Sequence, residues 1–466
     1  MSEGAASDSA SAGLLPLTGR AAGEILFRRA TGETVTRERF LLDVEATAER
    51  LPERGHALNL CSDRYRFLVA FAAVLVRGQV SLLSSDRTPH ALEQLVAAYP
   101  EAYAIGDEAD RLPLPGVEHA PLRLEERRRR PGAVPLVPAR RIAAVVATSG
   151  STGAPALHAK PWGALVACSE AAADRFGFSG PGTAAASIVG TVPPQHMYGF
   201  ETTVLLPLHA AVSSYAGSTF FPYDVVRALE AAPAPRVLVT TPLQIRTLLA
   251  AGQALPSLEA VISATAPLPV ELAREAEAAW KTRVLEIFGA TEVGSIASRR
   301  TVEGELWRAY RTVTLRPEGE EGAAVGVAHL PGEVLLADRV EVLDGGSFRL
   351  LGRRADLVKL AGKRASLAGL NAILCAIDGV EDGTFFAPDD LDTNAAARLS
   401  AFVVAPHRSE AEIAAALRAR VEAPFLPRRV VKVPALPRND VGKIVRAVLA
   451  ELHRDAARRR RHPELS

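Results

Sequence analysis

One run of small residues has the composition and position that phosphate chemistry requires. The run Ala147–Pro155 directly follows a strand-like segment, 142–146. It contains, in order, Thr148, Ser149, Gly150, Ser151, Thr152 and Gly153. Such residues supply backbone N–H groups and rotatable hydroxyls without side-chain bulk, as a loop that wraps a triphosphate needs. The alternative is a flexible turn without a ligand. The run 147–155 is not a Walker phosphate loop, which requires a Gly-Lys pair followed by Ser or Thr. Neither Gly-Lys pair of the chain, Gly362-Lys363 or Gly442-Lys443, is followed by one of these residues.

Together with four later motifs, this run resembles a known superfamily. It is similar to the loop TSGSTGxPK of the adenylate-forming enzymes, which include acyl-CoA synthetases, luciferases and the adenylation domains of peptide synthetases. The match extends from Thr148 to Pro155, and Ala156 stands where the family has lysine. This exchange removes one phosphate contact, which Lys160 replaces only if the loop bends suitably. The resemblance covers nearly the whole chain.

The second motif is Phe288-Gly289-Ala290-Thr291-Glu292, which resembles the family's aromatic-Gly-x-Thr-Glu sequence at a strand end. The resemblance implies that Phe288 and Gly289 contact adenine and that Thr291 offers its hydroxyl to the α-phosphate. Glu292 is expected to hold Mg²⁺, which prefers a few hard oxygens together with substrate phosphates. ATP and Mg²⁺ are therefore the expected cofactors, with Thr291 and Glu292 among the catalytic residues.

The third motif centres on Asp338, which lies fourteen residues before Gly352-Arg353. At this spacing the family places an aspartate that binds both ribose hydroxyls. A carboxylate that accepts two O–H hydrogen bonds suits a ribose, and Arg353 adds a further donor. The flanking Leu336-Ala337 differs from the family's Thr-Gly. The alternative for Asp338 is a charge at the edge of a hairpin.

The segment 353–364 resembles the family's hinge between two domains. Ala355 occupies the first hinge position, where Asp or Lys is usual, and Asp356 lies beside it. The acidic residues common after the next arginine are replaced by Ser366 and Gly369. The resemblance still implies rotation of a smaller domain.

The segment Leu436–Arg446 resembles the family's C-terminal PxxxxGKxxR signature. By this resemblance Lys443 reaches across the gap between the domains to the substrate carboxylate and the α-phosphate. A mobile ammonium there meets the charge that builds on pentavalent phosphorus. The alternative is a surface lysine after a glycine turn.

Two further stretches are expected to line a pocket for the acid. Segment 193–201 resembles the family's His-xx-Gly stretch, and segment 263–267 resembles its wall of small residues. The expected pocket residues are His196, Tyr198, Gly199, Phe200, Ser263, Ala264 and Thr265, with His196 also catalytic. The aromatic surface suits a ring, and the aspartate that binds an amino-acid ammonium in other members is missing. Tyr198 and Phe200 could instead be core residues.

The motifs imply a reaction in two halves. A carboxylate attacks the α-phosphorus of ATP to give an acyl-adenylate and pyrophosphate, and a thiol then displaces AMP. The 193–201 stretch and the small number of insertions most resemble ligases of aryl polyene and xanthomonadin-type pigment pathways. These ligases load hydroxybenzoate onto an acyl carrier protein. A fused carrier module is not expected, because Gly345-Gly346-Ser347, which superficially resembles a phosphopantetheine site, lies inside a predicted hairpin. The phosphopantetheine thiol is therefore expected from a separate carrier protein or from CoA.

Two alternatives stay open. A CoA ligase has the same chemistry with free CoA as the acceptor. A non-catalytic adenylate-binding protein would account for Ala156 and Ala355, but it has no need of Glu292, Asp338 and Lys443.

The elements that must position these motifs alternate between short β-branched runs and helical stretches from Glu24 to about Leu350. Strands are predicted at 142–146, 187–191, 237–240 and 284–288, and a helix is predicted at 269–280. Ligands of α/β sheets collect at the carboxyl ends of strands, so the loops that follow are expected to hold the site. The predicted fold class is α/β, with a large multi-sheet N-terminal adenylate-forming domain.

The composition changes after Gly332. Segments 333–337 and 347–351 predict a hairpin closed by residues 344–346. A helix at 370–377, a strand at 401–404, a helix capped by Ser409 and Glu412, and a strand at 430–433 follow. We expect a disordered lead at 1–20, the N-terminal domain at 21–352 and a small mobile α+β domain at 353–466.

The overall composition limits the class of protein. The chain has 466 residues and a net charge of +1, so no global field marks a nucleic-acid binder. Its three cysteines lie far apart, without zinc-site spacing, which favours a reducing cytoplasm. The N-terminus lacks the features of a signal peptide, and the apolar run 67–76 is too short for a membrane span. A soluble cytoplasmic enzyme acting on a small carboxylic acid is expected.

Overall fold

The computed structural model describes residues 13–111, 114–124, 131–148, 156–180, 182–319, 322–353, 357–360, 363–388, 391, 397–439, 442 and 444–461. The chain divides into two compact units. The larger unit comprises Met1–Arg316, Ala324–Val334 and Asp344–Phe348. The smaller unit comprises Pro317–Ala323, Leu335–Leu343 and Arg349–Ser466. None of the helices in the described ranges has the length and apolar character to cross a lipid bilayer.

The strands are numbered in chain order. Up to residue 335 they are β1 (Leu14–Pro16), β2 (Ile25–Arg28), β3 (Thr34–Thr36), β4 (His56–Asn59), β5 (Val80–Ser84), β6 (Tyr103–Gly106), β7 (His119–Pro121), β8 (Leu136–Pro138), β9 (Ile142–Thr148), β10 (Ala156–Pro161), β11 (Ala186–Gly190), β12 (Val212–Tyr215), β13 (Arg236–Thr240), β14 (Ala260–Ser263), β15 (Arg283–Ala290), β16 (Gly294–Arg300), β17 (Leu306–Ala309), β18 (Val313–Pro317), β19 (Ala323–Val327) and β20 (Val334–Leu335). The later strands are β21 (Asp338–Val342), β22 (Ser347–Arg353), β23 (Leu357–Leu360), β24 (Lys363–Ser366), β25 (Asp382–Phe386), β26 (Ser400–Val404) and β27 (Arg429–Lys432).

The helices are numbered in the same way. They are α1 (Arg37–Ala48), α2 (Arg64–Val76), α3 (Pro89–Ala98), α4 (Trp162–Phe176), α5 (Met197–Gly199), α6 (Leu206–His209), α7 (Pro222–Ala231), α8 (Pro242–Ala250), α9 (Val270–Trp280), α10 (Leu367–Cys375), α11 (Glu410–Arg418) and α12 (Arg446–Arg461). A π-helical turn, Phe200–Leu205, joins α5 to α6.

Two large sheets form the larger unit. One has the strand order β10-β9-β5-β4-β6-β7, and only β10 is antiparallel to its neighbour. In the other, β17-β16-β15-β14-β13-β11-β12-β2-β3 are neighbours, and the run from β15 to β2 is parallel. Parallel strands need both faces covered, so their sequences are nearly continuous apolar runs. Their carboxyl ends lie at one edge of the sheet.

Helix α2 shows why the core forms where it does. Asp63 caps it by accepting a hydrogen bond from the backbone N–H of Arg66 at 2.9 Å. From Phe67 to Val76 its sequence is apolar on every side, and residues from Phe67 to Leu75 are buried in the main core. A helix without a polar face must lie between other elements. The apolar run 67–76, which is too short to span a membrane, therefore lies in a buried helix.

The smaller unit has its own core around β25-β26-β27 and the helices α10 and α11. Ser409 and Glu412 form a reciprocal capping box at the start of α11, as predicted. The predicted strands at 401–404 and 430–433 correspond to β26 and β27.

Most predicted strands are confirmed, but the prediction for the first strand of the hairpin is wrong. The expected strands before residue 290 correspond to β9, β11, β13 and β15, and the expected helix at 269–280 is α9. Segment 333–337 does not form the first arm of the hairpin. That arm is β21, which neighbours β22, while β20 neighbours β19. Which segment pairs with β22 depends on the neighbours that each strand meets in the folded chain.

Candidate active site

The predicted phosphate loop connects two paired strands. β9 ends at Thr148 and β10 begins at Ala156, and these residues are opposite each other in the antiparallel register. Residues 149–155, which include the predicted Ser149, Gly150, Ser151, Thr152 and Gly153, lie outside the described residues. Thr148 Oγ1 lies 3.2 Å from His158 Nε2. Both ends of the loop are therefore fixed at the carboxyl end of β9, the edge at which α/β sheets bind ligands.

Hydroxyl groups line the corresponding edge of the second sheet. Thr191, directly after β11, lies 2.9 Å from Thr240 at the end of β13, measured between the Oγ1 atoms. Thr240 is the register partner of Ser263 at the end of β14. The hydroxyl of Ser263 is fully buried and has no hydrogen-bond partner among the described residues. This edge presents hydroxyl groups from three neighbouring strand ends.

The Phe-Gly-Ala-Thr-Glu motif forms the end of β15 and a tight turn into β16. The turn contains Thr291 and Glu292 and is closed by the backbone N–H of Val293, which donates to the carbonyl of Ala290 at 3.1 Å. A β-bulge between Phe288 and the predicted Gly289 shifts the register just before the turn. Thr291 and Glu292 are half-buried, so both side chains are accessible at the strand end.

Phe288 belongs to an aromatic cluster. Its ring centroid lies 5.7 Å from that of Trp307 and 5.8 Å from that of Phe348. The ring itself is half-buried. These contacts fix its orientation and leave part of its surface exposed.

His158 connects the phosphate loop with the Thr-Glu turn. Burial lowers the pKa of His158, and the positive charge of Lys160 acts in the same direction, while the carboxylate of Glu292 opposes both. Glu292 is therefore within electrostatic range of the imidazole that contacts Thr148. The structure brings Thr148 and Glu292, which are predicted on separate motifs, to one region of the larger unit.

The His-xx-Gly stretch is held close to the end of β14. His196 caps α5, and its Nδ1 accepts a hydrogen bond from the backbone N–H of Tyr198 at 3.2 Å. The hydroxyl of Tyr198 donates to the carbonyl of Ile262 at 2.7 Å. A Cβ atom on Gly199 would lie 2.2 Å from the carbonyl oxygen of Pro193, so only glycine fits there. The predicted pocket residues Ser263, Ala264 and Thr265 follow Ile262 directly, with Ala264 buried and Thr265 half-buried.

Phe200 lies in the core. It is fully buried, and its ring packs edge-on against Phe67 and Phe71 at centroid distances of 5.9 and 5.0 Å. This position agrees with the alternative interpretation of Phe200 as a core aromatic. The π-helical turn that begins at Phe200 is stabilised by Thr202 and Thr203, whose hydroxyls donate to the carbonyls of Tyr198 and Gly199.

A buried polar cluster lies next to this turn. Glu201 Oε1 accepts a hydrogen bond from the backbone N–H of Ser295 at 3.2 Å, and Oε2 accepts one from the Ser295 hydroxyl. Cys168 Sγ lies 3.5 Å from Oε1. Burial raises the pKa of Glu201, against the effect of the Ser295 hydroxyl and of the Lys160 charge. Burial lowers the pKa of Lys160, against the effect of Glu201.

The remaining predicted residues belong to the smaller unit. Asp338 is the first residue of β21, and Arg353 is the last residue of β22. Residues 354–356 of the predicted hinge, with Ala355, and Lys443 lie outside the described residues. Gly442 and Ile444 are described on either side of Lys443.

The donor set at the Thr-Glu turn suits magnesium. Within the described ranges, no group of three or more His, Cys, Asp or Glu side chains is arranged to hold a metal ion. Mg²⁺ is commonly bound by one or two carboxylates together with substrate phosphates and water, rather than by a cage of protein ligands. The half-buried carboxylate of Glu292, within electrostatic range of His158, fits this mode.

Comparison with known proteins supplies the family. Residues 35–338 match the profile of a family described as AMP-binding enzyme. The chain belongs to the AMP-binding enzyme family. This match includes Thr148, Glu292 and Asp338. The chain is 32% identical over 305 residues to a 4-coumarate–CoA ligase of Rhodobacter capsulatus, covering 64% of this chain and 74% of the relative. It is 28% identical over 337 residues to a probable 2-succinylbenzoate–CoA ligase of Mycobacterium tuberculosis, covering 66% and 84%.

Solved structures agree with the fold. ATP-bound MatB from Rhodopseudomonas palustris aligns with a TM-score of 0.78 at 20% identity, over 93% of this chain and 97% of that one. O-succinylbenzoate coenzyme A synthetase from Bacillus subtilis, in complex with AMP, aligns with a TM-score of 0.78 at 16% identity, over 93% and 98%. The predicted α/β fold with a large multi-sheet domain is confirmed.

Three residues of this chain make contacts that the sequence motifs did not predict. His158 contacts Thr148, Glu201 binds Ser295, and Thr240 contacts Thr191. One signal was present for Glu201, because an acidic residue in a long apolar helical segment needs a buried partner. Nothing in the spacing of Thr240 and Thr191 predicts their contact, since it depends on which strands are neighbours.

Proposed function

We propose that the chain uses ATP to convert an aromatic carboxylic acid into an acyl-adenylate and then transfers the acyl group to a phosphopantetheine thiol. The observation that carries the proposal is that His158 contacts Thr148 at the end of β9 and lies within electrostatic range of the Glu292 carboxylate. Phosphate-binding hydroxyls and a magnesium-binding carboxylate must be close together for attack at an α-phosphorus.

The residues predicted to bind ATP, magnesium and the transition state have separate tasks in this reaction. Thr148 and the loop residues 149–153 bind phosphate oxygens, Phe288 and Gly289 contact adenine, and Thr291 binds the α-phosphate. Asp338 and Arg353 bind the ribose. Lys443 donates to the acid carboxylate and the α-phosphate as charge builds in the transition state. When bound at Glu292, Mg²⁺ neutralises the charge of the phosphates.

The preference for an aromatic acid rests on the stretch around Tyr198. Its ring is held by the hydrogen bond to Ile262, next to the small residues Ser263, Ala264 and Thr265. Tyr198 itself is buried, and an aromatic side chain beside small residues offers a surface on which a flat ring can stack. The ligases of R. capsulatus and M. tuberculosis are named for 4-coumarate and 2-succinylbenzoate, which are aromatic acids. Hydroxybenzoate is the acid predicted from the sequence motifs.

The acceptor thiol has two candidates. The names of the similar ligases favour free CoA. The resemblance of the 193–201 stretch to pigment-pathway ligases favours an acyl carrier protein. The two acceptors present the same phosphopantetheine thiol, so the adenylation site is the same for both.

An exchange assay tests the first half-reaction. The enzyme is incubated with ATP, Mg²⁺, labelled pyrophosphate and one acid at a time from benzoates, hydroxybenzoates, cinnamates and medium-chain fatty acids. Label should enter ATP with hydroxybenzoates or cinnamates and not with fatty acids. If ATP binds but no acid supports exchange, the chain is an adenylate-binding protein and the proposal fails. Thioester formation with CoA or with a carrier protein then identifies the acceptor.

A further inference from the structure

One buried lysine of the larger unit has no direct partner among the described residues. Lys160, on β10, is 2% exposed, and its Nζ has no hydrogen-bond partner among the described residues. An isolated ammonium in a protein interior is strongly unfavourable unless an opposite charge compensates it. The largest compensating charge is that of Glu201, which is 6% exposed, and Glu292 adds to it. Lys160 is therefore part of an internal electrostatic network.

Glu201 connects this network to the catalytic turn. Both of its oxygens accept hydrogen bonds from Ser295, which lies three residues after Glu292 at the start of β16. Between them, Gly294 has a φ of +90°, and a Cβ atom there would lie 2.5 Å from Glu201 Oε1. The missing side chain lets the carboxylate approach the backbone. The position of Ser295 in turn limits where Thr291 and Glu292 can lie.

Lys160 does not replace the lysine that the family has at position 156. It lies four residues further along an extended strand, about 13 Å at the usual rise per residue. Its side chain is buried, while Ala156 is exposed at the start of β10. Its charge thus acts inside the unit and not in the phosphate loop.

We propose that Lys160 and Glu201 are positioning residues, whose opposite charges fix the Thr291-Glu292 turn relative to the strand that follows the phosphate loop. The inference rests on the proposed function, because the turn matters only if it binds ATP. Ser295 of β16 is hydrogen-bonded to Glu201 of the π-helical turn, and the buried charge of Lys160 on β10 is compensated mainly by the charge of Glu201.

A double-mutant cycle tests the pair. The variants are Lys160→Met, Glu201→Gln and the double variant, each assayed by pyrophosphate exchange with an acid that the wild-type enzyme accepts. Each single variant should lower kcat about 10- to 100-fold, because the turn shifts, with a smaller change in KM for the acid. The double variant should be faster than Lys160→Met, since neither charge is then left buried alone. Arg283→Met and Glu259→Gln, from an exposed pair 3.2 Å apart, serve as the matched control cycle.

Three results would overturn the inference. The first is wild-type kcat in both single variants. The second is a double variant as slow as Lys160→Met, which would mean that Lys160 acts on a ligand directly. The third is an additive cycle in thermal unfolding, which is measured on the same four proteins and needs no activity. If the wild-type enzyme supports no exchange, the proposed function fails, and a non-additive unfolding cycle still supports the charge pair.

Discussion

Arg438 forms a two-pronged ion pair with Asp382 in the smaller unit. Its Nη2 lies 2.9 Å from both carboxylate oxygens, and its Nε lies 3.1 Å from Oδ2. Its Nη1 donates to the carbonyl of Gly442 at 2.7 Å, and Arg438 also forms a bridge with Ile444. The guanidinium therefore contacts Gly442, and the backbone of Arg438 pairs with that of Ile444. Planar bidentate contacts of this kind fix geometry better than a single point charge does.

Substitution of Asp382 should slow adenylation, although the proposed mechanism does not place Asp382 in contact with ATP. In Asp382→Asn the guanidinium loses its charged partner, so the segment around Gly442 is held less firmly. We expect kcat for pyrophosphate exchange to fall about tenfold with a smaller change in KM for ATP. The control is Asp378→Asn, which breaks an exposed pair with Arg408 in the same unit. Equal kcat values in the two variants would contradict the role given to Arg438.

Lys443 should be needed for the first half-reaction. In Lys443→Ala the charge on the pentavalent phosphorus is no longer neutralised, and exchange should fall on the order of 100- to 1,000-fold. ATP affinity, measured by equilibrium binding, should change little. Lys432→Ala removes a surface ammonium from the same unit and should leave exchange unchanged. Retained exchange in Lys443→Ala would remove this lysine from the proposed mechanism.

Gly294 should tolerate no side chain. Its positive φ is strained for any other residue, and a methyl group would collide with Glu201. We expect Gly294→Ala to lower the free energy of unfolding of the larger unit by roughly 2 to 4 kcal/mol and to reduce exchange. Gly252→Ala is the matched control, because Gly252 also has a positive φ but has open space around it. It should cost about 1 to 2 kcal/mol. A similar loss in both variants would mean that contact with Glu201 is unimportant.

Protonation of His209 should make the larger unit less stable in acid. His209 is half-buried beside Trp162 with both ring nitrogens buried, and burial lowers its pKa from 6.5 to about 4. The unfolded chain therefore takes up a proton at a higher pH than the folded chain does. The contribution is fully present above pH 6.5 and is lost as the pH falls toward 4, by roughly 3 kcal/mol in total.

The test compares His209→Gln with the wild type by tryptophan fluorescence during unfolding, at several pH values between 7 and 4. All three tryptophans, Trp162, Trp280 and Trp307, belong to the larger unit, so they report its unfolding. The variant should lose less stability than the wild type across this range. His329→Asn, at an exposed position of the same unit, should follow the wild type. Parallel pH curves for His209→Gln and the wild type would contradict the assignment.

Motifs and caps that depend only on neighbouring residues could be predicted from the sequence. The small residues after β9, the Phe288–Glu292 motif and the capping box of Ser409 and Glu412 each lie within a few positions. Apolar runs predicted β9, β11, β13 and β15, because the side chains of a buried strand must be apolar on both faces. These features follow from local backbone preference and burial, which a single segment contains.

Contacts between distant segments could be decided only by tertiary structure. Glu201 meets Ser295 across 94 positions of sequence, and Thr191 meets Thr240 because β11 and β13 are neighbours in the sheet. Phe200 became a core residue because Phe67 and Phe71 of α2 pack against it. Sequence alone determined which residues can carry the chemistry. Strand order and helix packing determined which of them meet, because burial and charge compensation depend on partners that the chain brings together only when it folds.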